Sequence, residues 1–156
     1  GVTLTDEQKD KEAAQKNDEY VELIADMSAA DLLPGAREAL ESVRGAGLKT
    51  ALASASKNAP AILARLGISD LFDTVVDANL VVNGKPDPEI FLKAAAQLGV
   101  SPNACIGVED AVAGVQSIKD AGMYAIGIGD AQVLTRADLV IDGLHQFDVN
   151  QFIVKD

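Results

Sequence analysis

Apolar and polar positions along the chain divide it near Gly47 into two kinds of pattern. From Thr5 to about Met27 the pattern is helical: Thr5 and Gln8 have capping-box spacing, and Tyr20, Leu23, Ile24 and Met27 recur at helical intervals. The first half of that helix, DEQKDKEAAQKND, carries almost no apolar face, as expected of a segment at a surface or without its packing partner. MSAADLLPG is a connector. After Pro34-Gly35 a second amphipathic helix runs through Ala39, Leu40 and Val43 and stops at Gly45 or Gly47.

Beyond Gly47 short apolar runs alternate with helices. The runs are Lys49 to Ala53, Thr74 to Asp77, Cys105 to Val108, Tyr124 to Ile128 and Asp138 to Ile141. Helices are predicted at about 59–66, 88–98 and 111–121, the second with Asp87 as cap and Pro88 at its first helical position. Strands apolar on both faces and separated by helices predict an α/β fold, a parallel sheet with helices on both faces. The Ser28 to Pro34 connector is the predicted boundary between an α-helical start and the α/β body.

Composition narrows the function. The 156 residues are 48% apolar, which suits one soluble domain, and 13 Lys and Arg against 24 Asp and Glu give a net charge of −11. Such a charge opposes nucleic acid and anionic membrane surfaces as partners. No apolar core like a signal peptide's and no membrane-length apolar run occurs, so a cytoplasmic location is expected. The single Cys105 excludes an internal disulfide and reads as a small buried hydrophobe.

In parallel α/β sheets functional groups collect beyond the carboxyl ends of the strands, and three of these ends carry candidate chemistry. The first run ends in Ser54-Ala55-Ser56-Lys57-Asn58, whose hydroxyls and small residues suit a phosphate cradle or, equally, the N-cap of the next helix. Lys85 in a Gly-Lys-Pro turn is either a fixed cation for a phosphoryl oxygen or a solvated surface lysine. Glu109 and Asp110 end the third run, where adjacent carboxylates repel unless a cation neutralises them. They suit Mg²⁺ together with waters and a substrate phosphate, and Asp110 could also cap the following helix. Together the three ends have the parts of a Mg²⁺-dependent phosphoryl-transfer site.

The strand ending in Ser54, the Gly84-Lys85-Pro86-x-Pro88-x-x-Phe91 segment, and Ile106-Gly107-Val108-Glu109-Asp110 followed by Ala113-Gly114 and Ala121-Gly122 resemble motifs two to four of the haloacid dehalogenase superfamily. ALASASKN and Lys16-Asn17-Asp18-x-Tyr20 are similar to its phosphosugar-mutase branch, and the resemblance runs from about Ala14 to the C-terminus. It implies a Rossmann-like core over residues 34–156 and the C-terminal part of a helical cap over 1–33. By the same resemblance Ser54 and the Ala55 N–H would hold the transferring phosphoryl group and Lys85 would balance its charge. Glu109 and Asp110 would bind Mg²⁺, and Ser56, Lys57 and Asn58 would contact the second phosphate of a sugar phosphate. Lys16 and Asn17 would reach that substrate from the cap, against the alternative of a solvated helix face.

The implied reaction interconverts β-glucose 1-phosphate and glucose 6-phosphate through a phosphoaspartyl enzyme and a sugar bisphosphate. Its alternatives are hydrolysis of a sugar phosphate or, in another class, non-catalytic binding of phosphosugar or Mg²⁺. The family attacks with the first Asp of an Asp-x-Asp motif after its first core strand, and that tripeptide occurs nowhere in these 156 residues. Asp70, Asp73 and Asp77 stand at the wrong place in the order. The central first strand is therefore expected to be missing, leaving two half-sheets with a slot between them. The sequence then reads as part of a longer chain, with a partner segment in the slot or a marginal fold as the other expectations. The 156 residues alone are expected to be inactive, and the full-length enzyme to be a monomer.

Overall fold

A computed structural model describes residues 4–154. Its elements follow the predicted order: α1 (Asp6–Ala25), α2 (Ala36–Gly45), β1 (Ala51–Leu52), α3 (Ala59–Leu66), β2 (Thr74–Val75), α4 (Glu89–Leu98), β3 (Ile106–Glu109), α5 (Val112–Asp120), β4 (Tyr124–Ile128) and β5 (Leu139–Ile141), joined by turns and short 3₁₀ segments. Thr5 caps α1 through the predicted capping box with Gln8. Every residue from Thr5 to Leu23 is exposed, and Ile24 alone anchors the helix in buried contact.

One local expectation is corrected. Pro88, not Asp87, is the N-cap of α4, although Asp87 Oδ1 still accepts the Glu89 N–H at 2.9 Å. The proline sits one position earlier because the segment before it forms a turn, closed by the Asp87 N–H on the Gly84 carbonyl at 3.0 Å.

The strands form two parallel sheets. β1 pairs with β2, Ala51 opposite Thr74, while β3, β4 and β5 form a second sheet in that order. β1 and β3 each pair on one side only, and their free edges border a cleft of about 870 Å³. The cleft is lined by the inner faces of α2, α3 and α4, and by Leu48, Ile106 and Val108, each roughly two-fifths exposed. Apolar side chains this open beside two bare strand edges mark the slot expected from the sequence. β1 is also shorter than its apolar run, Ala51–Leu52 against the predicted Lys49 to Ala53.

The larger core packs α4 and α5 under the strands through Val76, Ile90, Phe91, Ala94, Val115, Ile118, Met123 and Ala125, and a smaller cluster joins Leu63, Ile68 and Leu71. α5 lies hard against β3, because a Cβ at Gly107 would meet Ile118 Cγ1 at 2.5 Å. Thr50, buried, donates from Oγ1 to the Leu71 carbonyl at 2.6 Å, and its N–H reaches Asp73 Oδ2 at 2.7 Å. Asp73 thereby links the start of β1 to Arg44 of α2, 3.2 Å away, which is a structural role for an aspartate outside the expected nucleophile position.

Candidate active site

β1, the Gly84–Asp87 turn and β3 bring Ser54, Lys85 and Glu109 to one end of the cleft. Lys85 spans it: its Nζ donates to the Ala53 carbonyl at 3.4 Å on the β1 side and makes a short ion pair with Glu109 Oε1 on the β3 side. The ammonium also lies 5.1 Å from the Phe91 ring centroid, a cation–π contact that supports the lysine from below. The Lys85–Pro86 peptide bond is cis. A solvated surface lysine is not what the chain builds here.

Glu109 Oε2 accepts the N–H groups of Asp110 at 3.0 Å and Ala111 at 3.2 Å, so each carboxylate oxygen accepts from the chain and Oε1 keeps a lone pair. Burial pushes the Glu109 carboxyl up, but the Lys85 hydrogen bond and charge and the two backbone N–H groups outweigh it and hold the group below its ordinary value. Asp110 is exposed beside it, and Ala111, not Asp110, is the N-cap of α5. Helix capping therefore does not account for Asp110.

The serines do not cap α3 either. Asn58 is its N-cap and makes no side-chain cap bond, while Ser54 Oγ accepts the Ser56 N–H and Ser56 Oγ accepts the Asn58 N–H, each at 3.2 Å. Two successive hydroxyl turns thus curl the loop around the strand tip. Because the Ser54 oxygen already accepts, its single proton remains to be donated elsewhere. Ala55 and Lys57 are exposed in this loop and Asn58 is half-buried.

Lys16 and Asn17 are exposed on α1, and among the described residues no hydrogen bond or ion pair joins them to the strand-end cluster. Among the described residues, no three His, Cys, Asp or Glu side chains gather so as to hold a metal. Glu109 and Asp110 are a two-carboxylate set of hard oxygens, a donor chemistry that fits Mg²⁺, which takes one or two carboxylates and completes its shell with water and phosphate. No helix among the described residues is long and apolar enough to cross a membrane. Cys105 is half-buried, packed against the larger core where it borders the cleft, its thiol raised by burial and donating to the Ser101 carbonyl at 3.3 Å.

Two contacts escaped the sequence reading. Ser117 Oγ, fully buried on α5, donates to the Asp87 carbonyl at 2.6 Å, and Glu109 packs directly over Gly114. The bare position of Gly114 after the carboxylate pair was the one sequence signal available for the second; the first had none.

Residues 2–122 match the haloacid dehalogenase-like hydrolase family. The chain is 47% identical over 137 residues to a β-phosphoglucomutase of Bacillus subtilis, covering 88% of this chain and 61% of the relative. A phosphorylated carbohydrates phosphatase of Thermotoga maritima is 39% identical over 114 residues, covering 69% of this chain and 53% of the relative. A crystal structure of β-phosphoglucomutase from Clostridium difficile superposes with a TM-score of 0.92 at 43% identity, over 95% of this chain and 66% of that one. The chain thus spans about three-fifths of the length of the Bacillus relative.

Proposed function

The chain belongs to the haloacid dehalogenase-like hydrolase family, and from that premise we propose that its residues form the larger part of a β-phosphoglucomutase interconverting β-glucose 1-phosphate and glucose 6-phosphate. The observation that carries the reading is the Lys85 ammonium joining the Ala53 carbonyl, next to Ser54, to Glu109 across the cleft. A dianionic phosphoryl group at that end meets a hydroxyl donor, a fixed cation and a carboxylate pair within one set of strand ends.

In this reading the Ser54 hydroxyl, its oxygen already accepting from Ser56, donates its proton to a phosphoryl oxygen beside the Ala55 N–H. Lys85, held between Phe91 and Glu109, neutralises charge that builds on the same group. Glu109 and Asp110 would hold Mg²⁺, which would supply positive charge to polarise the phosphoryl oxygens. Ser56, Lys57 and Asn58 face the second, non-transferring phosphate. Residues 1–33 are read as part of a cap over residues 34–156, with Lys16 and Asn17 contacting the sugar. The enzyme is read as a cytoplasmic monomer. The aspartates that attack the substrate and move its proton are not among these 156 residues, so the reading assigns them no step here and expects no turnover from the 156 residues alone.

The Thermotoga relative favours a second reading, release of phosphate from a sugar phosphate. The two are separated with the protein expressed from its complete reading frame and supplied with β-glucose 1-phosphate and Mg²⁺. Formation of glucose 6-phosphate, followed by a coupled dehydrogenase, is expected to exceed phosphate release. Ser54→Ala is expected to slow it by roughly 10²–10³-fold, as loss of one charge-stabilising donor does. Phosphate release without glucose 6-phosphate would overturn the mutase reading.

A further inference from the structure

The Lys85–Glu109 pair joins two segments 24 residues apart in sequence, and one face of α5 touches both. Gly114 and Ser117 are three residues apart on α5 and therefore share that face. At Gly114 a Cβ would overlap Glu109 Cγ and Cδ and lie 2.5 Å from Oε2, well inside van der Waals contact. The Glu109 carboxylate can sit where it does only because position 114 carries no side chain. One turn along, the Ser117 hydroxyl, 0% exposed, donates to the Asp87 carbonyl at 2.6 Å. Asp87 closes the turn that carries Lys85 by donating its N–H to Gly84, so fixing Asp87 fixes the base of the lysine.

We propose that Gly114 and Ser117 are positioning residues that together set Lys85 against Glu109, one by leaving room for the carboxylate and the other by tethering the lysine's turn to the same helix. Because α5 also lies close on β3 through Gly107 and Ile118, the helix is a rigid gauge between the two partners rather than a bystander. The role in turnover rests on the phosphoryl-transfer reading above; the role in forming the pair does not.

The two are tested separately on the protein expressed from its complete reading frame. The first measurement is the ¹H–¹⁵N signal of the Lys85 ammonium, slow enough in exchange to be seen when the ion pair is closed. It is expected in the parent and lost in both Gly114→Ala and Ser117→Ala. The clash at 114 falls on the Glu109 side chain rather than on backbone, and alanine regains up to about 1 kcal/mol of helix propensity, so Gly114→Ala is expected to fold and to melt only modestly below the parent. The second measurement is turnover of β-glucose 1-phosphate, with kcat expected to fall about 10- to 100-fold and KM to change less than about twofold. A Lys85 signal that persists in either folded variant overturns the proposal, as does a lost signal with unchanged kcat. Should Ser117→Ala fail to fold, Gly114→Ala decides alone. If the parent turns over no glucose phosphate the functional reading fails, and the ammonium signal still decides whether α5 sets the pair.

Discussion

Replacing Lys85 by methionine keeps an unbranched apolar stem and removes the charge, with its contact to the Phe91 ring. Glu109, with 13% of its side chain exposed, then keeps two backbone N–H donors and loses its cation. Breaking a fully buried pair costs about 3–5 kcal/mol. With Lys85 at 24% exposure and the two N–H bonds intact, the expected loss near neutral pH is about 2 kcal/mol. For a chain of this size that lowers Tm by about 4–8 °C.

The pH dependence gives the sharper check. In the parent the Glu109 carboxyl lies below its ordinary 4.5, so its stabilisation is complete above that value and fades as pH falls through the lower folded value. In Lys85→Met burial is opposed only by the two N–H groups, so the carboxyl is expected to move up from its place in the parent. Charged Glu109 is then less favourable in the variant than in the parent at neutral pH, and protonation relieves the difference as pH falls. The stability gap should therefore narrow between about pH 7 and pH 4 in urea melts run in EDTA, and Glu109→Gln added to Lys85→Met should recover most of the loss. A gap independent of pH, or double-variant losses that simply add, would refute the account of the pair.

Gly107→Ala should cost about 1–3 kcal/mol in urea unfolding, because its methyl meets Ile118, which is 0% exposed, and Ile118→Val should recover part of it. A neutral Gly107→Ala would mean that β3 and α5 have room to separate. The cleft of about 870 Å³ should make the 156-residue chain bind an apolar fluorescent dye. Substituting Val108 by aspartate on its wall should weaken that binding several-fold, and equal binding by the variant would place the dye elsewhere.

The elements from Tyr124 to Ile128 and 59–66 were legible to the residue because apolar periodicity and flanking glycines are local signals. The slot was expected from the family resemblance, because the strand that carries the Asp-x-Asp motif there has no counterpart in these residues. Ser54, Lys85 and Glu109 could be placed at strand ends, but the residue that Lys85 touches could not, because pairing between positions 24 apart leaves no periodic trace. For the same reason nothing in the sequence marked Ser117. Asp73 read as a stray carboxylate near a strand, though its partners Thr50 and Arg44 make it a structural tie. The N-cap at Pro88 was missed by one position, since turn and helix start share residues there.

The two half-sheets face each other with unpaired edges, and this bears on colloidal behaviour. Bare parallel edges flanked by Leu48, Ile106 and Val108 invite strands from other copies of the chain. A net charge of −11 keeps copies apart at low ionic strength, but the Debye length shrinks to about 8 Å near 0.15 M salt. That acidity then opposes self-association of the bare edges. For these 156 residues, rising salt concentration is expected to shorten the time they remain dispersed.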